Sequence, residues 1–444
     1  MSSKVLQGGT VIAWDDEANA LEILPTASIL IVKDRIAAIA RINDGLAAPA
    51  DAEVIDVTGK IVSPGFVNTH CHMWQTAFRT MAPDIFIAQY FAWLSQGGQA
   101  KDSFSTKDIY LSCLEGYCEG LNAGVTSYVD HANNNWGAHA VRPSCDAAID
   151  SEVSAVSMGL AFDGFSLSND AEVQNLKSIA RNLQAEVITT HYLGGPWAVG
   201  TNSPRKASEK DLQSLNTPTI FSHGGYVTES DIQALRDHDS FLAITPENEM
   251  SEGHGQTTSR LVHDHAALGT DTNWNISGDM MHQARLWLQS VRGANYQKTL
   301  DKGFTPRGNP MPVVDAFLLA TRQGGRALRR NDIGVLQVGA KADIICLSGD
   351  SPNMVGWTNP VAAVILHANV GDIQHVLVDG QFRKRDGQLI MKNQDWVEVS
   401  ASFAEVARRI QLQNASPPSL PKQFWGGRGE FADVETATIS VRHE

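Results

Sequence analysis

The chain has 444 residues, with 35 Lys+Arg against 49 Asp+Glu, which gives a formal charge of −14. Hydrophobic residues make up 43% and charged residues 19%, a globular composition that can bury a large core and excludes intrinsic disorder. An acidic balance with no Lys/Arg stripe also excludes nucleic acid and anionic membrane as main partners.

The start of the chain has no apolar segment behind a basic stretch, so a secretory signal is not expected. No run approaches about 18 apolar residues, so no membrane-spanning helix is expected. The cysteines at 71, 113, 118, 145 and 346 are odd in number and lack Cys-x-x-Cys spacing. That pattern predicts a reduced, cytoplasmic protein with neither a disulfide framework nor a thiolate zinc site.

Residues 1–63 alternate short apolar runs with Gly-, Asp- and Asn-containing turns, which predicts small antiparallel β structure. Residues 333–395 repeat the pattern, with Asp379-Gly380 and Asp386-Gly387 as hairpin turns. Neither region has enough strands for its own core, so the two are expected to pair into one discontinuous β domain. Between them, residues 64–332 read as strand then helix, repeatedly. Strands are expected at 153–162, 187–191, 219–223, 241–245 and 266–271, and helices at 229–238, 257–265, 286–292 and 315–329. Thr228 to Asp231 forms a capping box at the start of the first of these helices. The alternation predicts an α/β fold, a (β/α) TIM-type barrel. Residues 396–444 are expected to pack on the surface as a tail, with a wrapping loop at 414–429.

The chemistry concentrates at strand ends. Pro64 to His72 is a turn launching a strand that ends in His-x-His, and residues two apart on a strand share a face. His70 and His72 therefore point together, as half of a zinc-type site. Other predicted strands end in His191, His223 and Asp271. Barrel enzymes draw their active-site groups from the C-terminal ends of several strands. A satisfied core histidine is the alternative for any single member of this set. His263-Asp264-His265 also has the His-x-His spacing but falls in a predicted helix, where residues two apart diverge, and is read as surface.

With these residues in view, the chain resembles the amidohydrolase superfamily, in particular its cytosine-deaminase-like and chlorohydrolase-like branch. The resemblance rests on Pro64 to His72, on Gly124-Val125-Thr126 leading to Val129-Asp130-His131, and on Leu268 to Asp271. It extends to the returning segments Ile333 to Leu336 and Gly339 to Ile344. It implies that His70, His72, His191 and Asp271 hold one divalent metal, zinc or else iron(II), with His223 on the metal-bound water or the substrate. A mononuclear site fits the absence of any Lys between Lys107 and Lys177, which leaves no carbamylated bridge. Asp271 would act as general base on the metal-activated water. His131, Gln75 and Trp74 would bind substrate, Trp74 having packing beneath the barrel mouth as its equal alternative. An aromatic helix at 85–94 is either a lid or ordinary packing, while Asp279 and Arg285 would be structural or interfacial.

Two features depart from the family pattern. Deaminases of this branch place a glutamate three residues after the His191 position, and here that residue is Gly194. A segment after a later strand, Thr245 to Met250 followed by Gly253-His254-Gly255, offers Glu247, Glu249 and His254 as replacements for the proton transfer. The alternative is that the two glutamates cap a loop. The second departure is that the interval from His131 to Glu186 holds one predicted strand where two βα units are expected, so the barrel is one unit short or one unit is degenerate. The expected function is hydrolysis of a non-peptide carbon–nitrogen bond in a small cyclic or aromatic molecule by a homodimer or higher homo-oligomer. The alternatives are a lyase, decarboxylase or dehalogenating enzyme on the same site, or a non-catalytic family member.

Overall fold

The computed structural model describes residues 3–41, 44–153, 156–197, 202–256, 258–420 and 431–435. Two sets of strands organise the chain. The first is a nine-stranded sheet built from β1 (Ser3–Asp15), β2 (Ala20–Val32), β3 (Arg35–Ala40), β4 (Glu53–Asp56) and β5 (Ile61–Pro64), with four strands from the far end of the sequence. These are β13 (Ile344–Leu347), β14 (Ile373–Val378), β15 (Gln381–Arg385) and β16 (Gln388–Leu389). They meet the N-terminal strands through the antiparallel pairing of β13 with β5. The Asp379-Gly380 and Asp386-Gly387 turns have positive φ at all four residues, as tight hairpin turns require. The expected all-antiparallel pattern is corrected in one respect, because β1 pairs in parallel with β4 and β5. Gly8-Gly9 is likewise not a turn but an irregularity inside the long strand β1, where Gly8 takes φ +84°.

The second set comprises β6 (Phe66–Cys71), β7 (Val125–Asp130), β8 (Leu160–Ala161), β9 (Ile188–Tyr192), β10 (Thr219–His223), β11 (Phe241–Ile244) and β12 (Ala266–Leu268). All their ladders are parallel. They join β6 to β7 and run from β8 through β12 in chain order. A parallel bridge from Cys71 to Asp271 connects the end of β6 to the segment leaving β12. No ladder joins β7 to β8 among the described residues. The strand expected at 153–162 is reduced to Leu160–Ala161 among the described residues, with residues 154–155 outside the described set.

Connecting helices largely follow the sequence pattern. Glu229–Asp237 opens with the reciprocal Thr228–Asp231 capping box. The helix expected at 257–265 is corrected to a single turn, Ser259–Leu261, with residue 257 outside the described set. His263 to His265 then lie in the turn before β12. The helix expected at 315–329 is broken at Thr321, with φ −129° and ψ −95°, into Val313–Ala320 and Arg322–Ala327. The tail begins as the helix Trp396–Gln413, whose buried Val399, Phe403, Val406, Ala407 and Ile410 form one apolar stripe. Gln411 donates from Nε2 to the Ala77 and Arg79 carbonyls at 3.0 and 2.9 Å, which pins that helix beside the segment following β6. Residues 421–430 of the expected wrapping loop lie outside the described set. All five cysteines are free thiols, and no described helix is long and apolar enough to cross a membrane.

The two strand sets are joined where β5 turns into β6. The Gly65 N–H donates to the Asp343 carbonyl at 2.9 Å, so the segment ending in Asp343 fixes the start of the strand that carries His70. Asp343 accepts the Asp379 N–H at 2.8 Å through Oδ1, while its buried Oδ2 has no partner. Burial pushes its carboxyl up to about 7 against the hydrogen bond from the Asp379 N–H; the Asp379 carboxylate adds to the shift, and Lys341 and Arg330 oppose it. The folded chain therefore holds a proton that the unfolded chain releases near its ordinary value of about 4. This contribution to stability is present below about pH 4 and is lost as pH rises through about 7. Asp343→Asn is expected to gain thermal stability relative to wild type as pH rises from 5 to 8, measured by unfolding midpoints. A constant difference across that range contradicts the assignment.

Candidate metal centre

The strand-end residues converge. His70, His191, His223 and Asp271 bring one ligand-type atom each to within 4.8 Å of one another, a group that could hold a metal ion. His72 completes the set, with Nε2 3.2 Å from both Asp271 Oδ1 and His191 Nε2. His70 Nε2 is also 3.2 Å from Asp271 Oδ1 but outside hydrogen-bond geometry, which leaves it without a partner in the interior.

Each imidazole is aimed by its other nitrogen. His72 Nδ1 donates to the His131 carbonyl at 2.8 Å, and His191 Nδ1 donates to Asp163 Oδ2 at 2.9 Å. Carbonyls and carboxylates only accept, so both hydrogens sit on Nδ1 and both Nε2 atoms present lone pairs. His70 Nδ1 is paired with the Ser222 hydroxyl at 2.8 Å and His223 Nδ1 with the Thr245 hydroxyl at 2.9 Å. Partners of this kind fix ring orientation in metal sites. Burial pushes His70 and His223 well below the ordinary imidazole value, so both are neutral. Burial works against ionisation of Asp271, yet the His70, His72 and His223 imidazoles beside it hold its carboxyl well below the usual range. Neutral His70 and His223 beside an ionised Asp271 are protonation states that suit metal binding, whereas Asp163 raises His191 against the effect of its burial.

Backbone geometry holds Asp271 in place. Its N–H and that of Thr270 both donate to the His70 carbonyl, at 2.9 and 3.1 Å, and its own carbonyl accepts the His72 N–H at 2.7 Å. Asp271 and His223 have φ of +65° and +76°, left-handed conformations that cost of order 1–3 kcal/mol and persist only where the surroundings fix them. Gly269 permits the close approach, since a Cβ there would lie 2.7 Å from the His70 carbonyl oxygen.

The structure adds a residue that strand-end reasoning missed. Asp163 follows β8 and accepts from the His191 backbone N–H as well as from Nδ1, with His131 Nε2 at 3.5 Å. His131, buried and bonded through Nδ1 to Thr189 at 2.8 Å, groups with Asp163 and His191 as a second ligand-competent cluster. The signal was present in Phe162-Asp163, a carboxylate just past an apolar run, as at Thr270-Asp271.

The remaining candidates separate. Glu249 is buried behind His223, with Oε1 accepting the Thr245 N–H at 2.8 Å and lying 3.7 Å from His223 Nδ1. Burial pushes its carboxyl up to about 7. His254 packs edge-on against His223 with ring centroids 4.8 Å apart. Glu247 instead turns to the helix Met280–Leu300, pairing with Gln283 at 2.8 Å and His282 at 3.4 Å. Gln75 is fully buried, its amide nitrogen committed to Tyr90 and the Leu94 carbonyl at 3.1 and 2.8 Å. Trp74 donates to Asn133 at 2.6 Å and packs against Phe78, Phe104 and Trp136. The aromatic helix, Ile87–Trp93, buries Tyr90 and Trp93. Asp279 caps the helix Met280–Leu300, and Arg285 binds the Ile365 and Ala368 carbonyls.

Removing the charge behind His191 without changing shape isolates the orienting role of Asp163. Asp163→Asn is expected to weaken divalent-metal affinity about 10–100-fold, measured by competition with a chelating dye. Unchanged affinity would remove Asp163 from the site's support.

Known proteins agree with this geometry. The model of the Amidohydrolase family matches residues 200–383. A 5-methylthioadenosine/S-adenosylhomocysteine deaminase of Desulfitobacterium hafniense is 25% identical over 436 residues, covering 88% of this chain and 95% of the relative. A 5'-deoxyadenosine deaminase of Methanothermobacter thermautotrophicus is 25% identical over 431 residues, covering 85% and 93%. Among solved structures, a triazine hydrolase from Arthrobacter aurescens superposes with a TM-score of 0.77 at 19% identity, covering 92% of this chain and all of its own. An adenosine deaminase from Xanthomonas campestris with bound zinc gives 0.72 at 18%, covering 93% and 99%. The chain is an enzyme that is similar to the Amidohydrolase family over residues 200–383 and to named deaminases over most of its length.

Proposed function

We propose that the protein is a zinc-dependent hydrolase that cleaves a non-peptide carbon–nitrogen bond in a small cyclic or aromatic molecule, on a (β/α) barrel of seven strands. The observation that carries this reading is the convergence of His70, His72, His191 and Asp271, with a buried, unpartnered Nε2 on His70. The deaminase names of the relatives and the zinc of the Xanthomonas campestris structure support the reaction class and the metal.

A metal held by those four residues would supply Lewis acidity and bring the pKa of a water near neutrality. Asp271, ionised and fixed by two backbone hydrogen bonds, takes the proton from the attacking water. His223, held by Thr245 with Glu249 behind it, faces the charge that develops on the attacked group. Burial of His70, His72, His223 and Asp271 strengthens each of these electrostatic interactions.

A dehalogenating reaction is the second reading. It is favoured by Gly194, because a departing chloride needs no proton whereas a departing amine does. A panel of amino- and chloro-substituted purines, pyrimidines and triazines separates the two through assays for ammonia and chloride. Ammonia release by the zinc-loaded enzyme is expected. Chloride alone would select the second reading, and release of neither would remove both.

A further inference from the structure

Gly194 cannot be the site of a displaced or lost glutamate that a small change would restore. Its φ is +75°, and a Cβ there would lie 2.9 Å from Tyr226 Cβ. A proton for the departing nitrogen must come from another wall. The short helix Pro246–Ser251 and the residues after it supply three buried or half-buried carboxylates, and their surroundings distinguish them. Glu247 is turned to Gln283 and His282. Glu249 has both oxygens engaged, Oε1 by Thr245 and Oε2 by Gln256 at 3.1 Å. Glu252 is different. Its Oε1 accepts from Asn248 and Asn275 at 3.3 and 3.1 Å, and its Oε2 lies 3.5 Å from His254 Nε2.

His254 is 4% exposed, and neither ring nitrogen has a hydrogen-bond partner. A buried polar group left without a hydrogen bond is costly, so the ring is held ready for a partner that arrives with a ligand. It also lies against His223, at the edge of the metal-ligating cluster. The Glu252 carbonyl accepts the Ile87 N–H at 3.0 Å, which ties the pair to the aromatic helix Ile87–Trp93.

We propose that His254 delivers the proton to the departing nitrogen and that Glu252 is its positioning residue, the pair doing the work for which position 194 has no side chain. This inference rests on the hydrolase reading above. As the carbon–nitrogen bond breaks, its electron pair passes to the nitrogen, which takes a proton from the protonated His254 ring. The water that adds to the carbon surrenders two protons in becoming the carbonyl oxygen: one reprotonates His254 and the other goes to the ring nitrogen next to the attacked carbon. No further reactant is needed.

The test uses zinc-loaded, full-length enzyme with isotope-labelled histidine, and E252Q, E252D and H254N beside wild type. The His254 ring N–H resonance, assigned by its loss in H254N, is expected to shift in E252Q and return towards wild type in E252D. With the ring amine turned over fastest in the panel, E252Q is expected to lower kcat about 100-fold with KM nearly unchanged, and E252D to recover part of the loss. An unmoved resonance in E252Q, or an undiminished kcat, overturns the proposal. If wild type turns over nothing in the panel, the hydrolase reading falls separately. The resonance then decides the pair alone, a shift supporting it and no shift overturning it.

Discussion

Two imidazole lone pairs, on His72 Nε2 and His191 Nε2, face each other 3.2 Å apart in the interior because their Nδ1 hydrogens are claimed by the His131 carbonyl and by Asp163. Only a positive charge between them, a proton or a metal ion, relieves that repulsion. Much of the architecture maintains the arrangement. Two backbone N–H groups after β12 are bound to the His70 carbonyl, Gly269 lets the chains touch, and Asp271 tolerates a left-handed backbone to aim its carboxylate. A cation bound between them would offset the repulsion that this crowding creates.

The ligand set was legible in the sequence because a strand has period two and a parallel (β/α) fold exposes strand ends together. His70 and His72 share a face for the first reason, and His191, His223 and Asp271 meet them for the second. Asp163 was overlooked, although a carboxylate stands there just past the expected strand, of which only the two-residue β8 forms. Glu252 was hidden differently. It lies in the segment singled out from the sequence, but which of three glutamates turns towards His254 depends on Asn275, distant in the chain, and on rotamers that spacing does not encode. The helix expected at 257–265 failed because its apolar pattern serves burial of Val262 and Ser259 in an irregular segment rather than a helical face.

The sheet from the two termini shows how far pattern reaches. Turn chemistry at Asp379-Gly380 and Asp386-Gly387 predicted the hairpins that form. The parallel pairing of β1 with β4 and β5 was invisible, because alternation of apolar and polar residues is the same in either direction. That sheet also bears on the site, since the Gly65 to Asp343 hydrogen bond fixes the entry of β6 and hence the direction of both of its histidines. Gly194 follows β9, the strand that pairs with the short β8, and both depart from the family pattern.

The central claim is that these residues form a metal centre. Elemental analysis of purified wild type beside His70→Ala and Asp271→Asn tests it most directly. The account predicts about one divalent metal ion per chain in wild type, with loss or marked depletion in both variants. A wild-type chain that carries no metal, and takes up none when reloaded after chelation, would contradict it.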